Sequence, residues 1–187
     1  MELLYSILDF LVPAAEPCPH DLGTLVHVRT YNYRHAESIL NANFRLKKEI
    51  ERILEQLQLE TSAPARRMET CSLHRQIQRA FLRRQWQGEV LVSPRTAHRH
   101  RFDVYKERVA VEIELSHRER LYRDYLRFVM AEAEDRIDLG MIIVLDENAP
   151  AGNGSKWGGV PRLEDVEDDL KMLHAAITVP IWVVALS

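Results

Sequence analysis

The chain has 187 residues, 46% of them hydrophobic and 28% charged, with a formal net charge of -3; this suits one globular domain over residues 1–187 with a sizeable core. Its two cysteines, Cys18 and Cys71, are far apart and lack Cys/His company, so neither a disulfide framework nor a zinc ribbon is indicated and a reducing cytoplasm is the expected location. The total charge hides a basic block: residues 61–108 hold 11 Lys/Arg against 4 Asp/Glu, whereas 1–60 hold 6 against 9 and 109–187 hold 8 against 15.

The opening MELLYSILDFLV is apolar but only twelve residues long, contains Glu2 and Asp9 and lacks a basic start. It reads as a packed helix near 2–11 rather than a membrane span or signal peptide, and no membrane partner is expected. With the Pro-rich connection through Pro19 it forms a helical lead-in over 1–33, ahead of a core over 34–187. A helix within 34–59 carries Ile39, Leu40, Ile50, Ile53, Leu54 and Leu57, and TSAPARR is a linker. A basic helix over 72–86 follows, with Ser72 as a plausible N-cap, Leu73, Ile77 and Phe81 at spacing four on one side, and Arg75, Arg79 and Arg83 on the other. Like charges at that spacing cost roughly 0.2–0.5 kcal/mol each, so something outside the helix is expected to compensate. A polyanion would do so, because phosphate contacts supply most of nucleic-acid affinity; a solvated helix face is the plainer alternative.

Strands are expected near 89–93, 101–106 and 109–115. In FDVYKERVAVEIEL, residues 102–115, alternate side chains share a face, so Glu112 and Glu114 point one way and Val111, Ile113 and Leu115 the other. The KER turn folds FDVY back as a hairpin and brings Asp103 towards the two glutamates. Crowded carboxylates repel one another unless a cation neutralises them, and hard oxygen ligands with room for water and phosphate suit Mg²⁺ better than zinc. An exposed edge hairpin with alternating acids is the competing reading. Arg95, His98, Arg99, His100 and Arg101 extend the positive field up to Asp103; phosphate contact or plain solvation suits these histidines better than metal ligation.

A helix over 117–135 contains Leu121, Tyr122, Tyr125, Phe128 and Val129, which suit a core or an interface alike. Then GMIIVL at 140–145 is a buried strand, AGNGSKWGG within 151–159 a loop, RLEDVEDDLKMLHAA a helix, and VPIWVVAL at 179–186 another apolar strand. The acids Glu164, Asp165, Glu167, Asp168 and Asp169 suit a helix N-terminus rather than a metal site. Continuously apolar strands alternating with helices describe an α/β fold, a mixed central sheet flanked by helices on both faces.

An acid-bearing antiparallel hairpin followed by helix, strand, helix and strand resembles the PD-(D/E)XK nuclease fold, the restriction-endonuclease-like core, with Glu114 where most members have lysine. The Glu-x-Glu version resembles the BamHI type of restriction endonuclease and, more closely, its BglII branch. YNYRHAESILNANFRLKKEIERIL resembles that family's first long helix and lead-in, FDVYKERVAVEIELSH its active-site hairpin, and GMIIVL through PIWVVAL its last core strands. The resemblance implies a Mg²⁺-dependent endonuclease of restriction type that hydrolyses phosphodiester bonds in double-stranded DNA, working as a homodimer on palindromes. It implies Asp103, Glu112 and the Ile113 carbonyl as metal ligands, and Glu114 beside the attacking water. Glu89 stands nearest to the polar residue that precedes the family's aspartate. Arg75, Arg79, Arg83, Arg99 and Arg101 are candidates for DNA contact. Asn153, Ser155 and Lys156 fall where the BglII relatives carry a recognition loop. The alternative function is a non-cleaving nuclease-fold module that binds DNA or a protein.

Overall fold

The computed structural model describes residues 28–57, 70–95, 99–147 and 159–187, with the backbone alone for 70–72. The expected helix near 2–11, His98 and the loop residues Asn153, Ser155 and Lys156 lie outside them. Six strands, β1 (Val28–Tyr33), β2 (Gln87–Leu91), β3 (Arg101–Lys106), β4 (Val109–Ile113), β5 (Leu139–Leu145) and β6 (Ile181–Leu186), form one mixed sheet in the order β1-β6-β5-β4-β3-β2. The three central strands run parallel, and β1 on one side and the β2–β3 pair on the other are antiparallel to their neighbours.

Both faces are covered, which is why β5 and β6 are buried along their whole lengths. On one face lie α1 (Ala36–Ala42), α2 (Phe44–Glu55) and α3 (Thr70–Leu82), whose Leu40, Ile50, Ile53, Ile77 and Phe81 meet Val104, Val111, Ile113, Met141 and Val184 of the sheet. On the other face α4 (Arg118–Ala133) and α5 (Leu163–Met172) set Leu121, Tyr125, Phe128, Val166 and Leu170 against Phe102, Ala110, Ile142, Val144 and Val183. The alternation read in VAVEIEL holds: Val111, Ile113 and Leu115 join the first core cluster, while Glu112 and Glu114 share the other face with Ala110. Among the described residues no helix is long and apolar enough to cross a membrane.

Three elements differ from expectation. Residues 28–33, assigned to a helical lead-in, form an edge strand paired with β6 from Val28↔Leu186 to Tyr33↔Ile181. The partner decides this, because VRTYNY carries too few apolar residues to announce a strand unaided. The long helix within 34–59 is two helices broken at Asn43, whose side chain accepts a hydrogen bond from the Leu46 N–H at 3.3 Å and so starts α2. The basic helix begins at Thr70, two residues before the expected cap, and ends at Leu82. Gln85 then takes a positive φ of 64°, and Trp86 folds back edge-on to Phe81 at 4.9 Å.

Candidate active site

The hairpin that carries the acids turns at Glu107 and Arg108, both in the left-handed region with φ of 47° and 65°. This is the conformation that keeps two strands in register across a two-residue turn, and it strains residues other than Gly, Asn and Asp. Side chains hold it: Arg108 clasps Asp138 through Nε and Nη2 at 2.8 and 2.9 Å and reaches Asp135 at 2.6 Å, while Glu107 accepts from Asn43 Nδ2 at 2.8 Å.

Beyond the turn the two strands pair only as far as Val104↔Val111 and then part at Asp103. On the other side, β2 pairs with β3 at every position except Glu89 opposite Asp103, where Glu89 has a φ of 54°. Freed from both ladders, Asp103 turns its carboxylate into the gap, and its Oδ2 accepts from the Ile113 N–H at 2.8 Å. His74 Nε2 of α3 lies 3.1 Å from the same oxygen, and that hydrogen bond raises the imidazole above its ordinary pKa. Gln78 of α3 donates to the Asp103 carbonyl at 3.1 Å. The Glu114 N–H donates to Ile143 of β5 at 3.0 Å. Because that peptide is trans, the Ile113 carbonyl faces away from β5, into the gap that holds Asp103.

Glu112 is buried, 3% exposed, and Arg127 of α4 donates from Nη1 to its Oε1 at 2.8 Å and to Asp124 Oδ1 at 3.0 Å. Burial, then the charges of Asp124 and Asp103, push the Glu112 carboxyl well above the usual carboxylate range despite Arg127. Burial likewise pushes Asp124 up to about 7, against Arg127 and with Glu114 adding to the rise. Glu114 is spent differently: its Oε1 accepts from the backbone N–H groups of Ser116 and His117 at 2.8 and 3.2 Å and from the Ser116 hydroxyl, tying β4 to the start of α4.

All these acids face one cavity of about 630 Å³. Asp103, Glu112, Ile113, Glu114 and Glu89 line it together, and so do Arg75, Arg99 and Arg101 of the basic block. Arg79 and Arg83 stand apart, in a groove of about 400 Å³ between α2 and α3 with Ile53, Leu57 and Arg84. The expected convergence of carboxylates is looser than a closed metal cage. Among the described residues, the group of three or more acids whose oxygens all lie within 4.8 Å of one another is Asp146, Glu147 and Glu164, already answered by Arg29. Of the run at 164–169, Glu164 and Asp165 stand in the first turn of α5, where Asp165 accepts from the Arg162 N–H, while Asp169 further along bonds Arg118.

Sequence reasoning missed His74, Asp124 and the α4 arginines Arg120, Arg123 and Arg127, all of which line the cavity. The signal was present as charged residues at 120, 123, 124 and 127, one helix face recurring beside the apolar stripe. The donor set fits a hard divalent cation, since among the described residues it offers carboxylates and a main-chain carbonyl and no sulfur. Burial first, with neighbouring acids adding to it, raises the pKa values of Glu112 and Asp124 despite Arg127.

A helix-flanked mixed sheet with an acid-lined, arginine-rimmed cavity at a parted hairpin defines the class of restriction-endonuclease-like nucleases. The sequence matches the family Restriction endonuclease BglII/BglIII over residues 28–186, and the chain belongs to that family. It is accordingly a restriction endonuclease, a hydrolase of phosphodiester bonds in DNA, and the family points to dependence on a divalent metal. Among solved structures it is similar to restriction endonuclease BglII complexed with a DNA 16-mer, with a TM-score of 0.67 and 21% identity over 85% of this chain and 75% of that one. At that identity the likeness speaks for the fold. No curated protein sequence matches the chain.

Proposed function

We propose that the chain cuts both strands of double-stranded DNA in the cytoplasm as a Mg²⁺-dependent homodimer, with the ion held by Asp103, Glu112 and the Ile113 carbonyl. The single observation behind this reading is the seat of Asp103. Its carboxylate lies in the gap where β3 leaves β4, bonded to the Ile113 N–H, in the cavity that the buried Glu112 also lines. When bound, the ion polarises a phosphoryl group, lowers the pKa of a water and steadies the leaving 3′ oxygen. Glu114, anchored through Oε1, presents its second oxygen to a water in the cavity as an acceptor for the proton released on in-line attack. Glu89, which lines the same cavity, completes the set of catalytic acids.

Arg75, Arg99 and Arg101 on one rim and Arg120 and Arg123 on the other neutralise the phosphates flanking the cut. Arg79 and Arg83 contact the backbone further along, and Asn153, Ser155 and Lys156 read base edges. The BglII relative was solved with a DNA 16-mer, which supports duplex DNA as the substrate. A palindrome has two equivalent scissile phosphates and so calls for two copies of the site. Cleavage of supercoiled plasmid at low salt tests the reading. Wild type is expected to cut with Mg²⁺ and not with Ca²⁺, and Asp103→Ala to cut with neither; an Asp103→Ala enzyme that cuts as fast as wild type would remove the assignment.

A further inference from the structure

Arg127 belongs to none of the roles above. Its Nη1 lies between Glu112 Oε1 and Asp124 Oδ1, so one guanidinium nitrogen serves two carboxylates that are 3% and 2% exposed. Two acids buried at that depth stay ionised only with positive charge within reach, and among the described bonds to either carboxylate Arg127 is the cation that provides it.

We infer that Arg127 is the resident counter-ion of the site: it supplies the positive charge beside Glu112 while no divalent cation is bound, and yields Glu112 when one arrives. The inference rests on the reading of Asp103 and Glu112 as ligands, and three features of the geometry carry it further. First, Arg127 lines the cavity rather than lying behind the carboxylate, where a residue that only orients a ligand is placed. Second, it is loosely held. Both bonds leave from Nη1, while Nε is buried without a partner, so the planar fork that makes arginine a rigid clamp is not engaged. Third, it has somewhere to go. Asp124, one turn earlier on α4, already shares Nη1, so the guanidinium can leave Glu112 and keep an anionic partner through a rotation of its own side chain. The device keeps a cluster of buried acids assembled in the empty enzyme, and it makes the divalent cation compete for Glu112.

The test is thermal denaturation in EDTA and in saturating Ca²⁺, with Ca²⁺ affinity from calorimetry, for wild type, Arg127→Met, Arg127→Lys and Asp103→Ala. Loss of the counter-ion should weaken the metal-free protein more than the loaded one. The Ca²⁺-induced rise in Tm of Arg127→Met should therefore exceed that of wild type by about 4 °C or more. Its Ca²⁺ affinity should be about tenfold tighter, with Arg127→Lys in between. An equal or smaller rise, or weaker Ca²⁺ binding by the Met variant, would overturn the inference and make Arg127 a structural or orienting group. Should Arg127→Met fail to fold, Asp124→Asn/Arg127→Met removes both charges of the pair and is held to the same criterion. If Ca²⁺ raises the Tm of wild type but not of Asp103→Ala while the Met variant tracks wild type, the ligand reading stands and only this inference falls. A flat response from every protein, wild type included, would overturn both.

Discussion

Gly140 of β5 sits under the ring of Phe128: a Cβ built there would meet Cδ2 and Cγ at 2.8 Å and Cδ1 at 3.0 Å. Comfortable carbon contacts begin near 3.5 Å, so Gly140→Ala must open a gap of roughly 0.7 Å. The ring has little room to yield, because Phe128 is fully buried and stacked with Phe102 at 5.8 Å. The strain therefore passes to α4, which carries Asp124 and Arg127 on the turn ahead of Phe128. Overpacking of this kind costs about 2 kcal/mol, equivalent to a fall in Tm of roughly 4–8 °C for a chain of this length. A small shift of α4 also disturbs the 2.8 Å bond from Arg127 to Glu112 and the α4 rim of the cavity. Plasmid cleavage should fall by about tenfold or more at a temperature where both proteins are folded. Differential scanning fluorimetry and a cleavage time course measure the two effects. A Tm within 1 °C of wild type, on the order of the assay's own scatter, would show that Phe128 has room to move and refute the argument that β5 clamps α4.

Three further outcomes are expected. The Asp124 carboxyl, raised from 3.8 to about 7, holds a proton in the folded protein that the unfolded chain releases near pH 4. In EDTA, the contribution of this group to stability is therefore full at low pH and lost as pH rises from about 4 to about 7, by at most about 4 kcal/mol; Asp124→Asn should make the pH slope of stability less negative across this range, and an unchanged slope in urea melts would contradict it. Arg120→Gln and Arg123→Gln should each weaken duplex binding in Ca²⁺ and lower the slope of log K against log salt by about 1, read by fluorescence anisotropy; a slope equal to that of wild type would place these arginines off the DNA. Asn43→Ala removes the cap of α2 and the bond to Glu107 at the hairpin turn, so it should cost about 1 kcal/mol, and unaltered denaturant stability would show that neither contact matters.

Much of the architecture is local in origin and was legible along the chain. The period-two pattern of VAVEIEL settles which side of β4 meets the first layer of helices. It also leaves Glu112 and Glu114 together on the opposite face. Leu73, Ile77 and Phe81 at spacing four bury one side of α3, and the unbroken runs of β5 and β6 announce strands covered on both faces. In each case burial follows from side-chain periodicity within one segment, so a single stretch of sequence suffices.

The tertiary structure decided what depends on partners distant in sequence. Residues 28–33 became a strand because β6 offered an open edge, and neither their composition nor their periodicity encodes that pairing. Asp103 reaches its seat because both ladders lapse at that position, one beside the positive φ of Glu89 and the other where β3 parts from β4. Arg127 meets Glu112 across 15 residues, and His74 meets Asp103 across 29. Desolvation in a shared cavity then makes those charges interdependent, and no single segment carries that information. The sequence by itself thus determined the residue types and the face of the strand that carries the acids. Only the folded sheet decided which cations stand beside them, because ion pairing acts through space and the order of strands sets those distances.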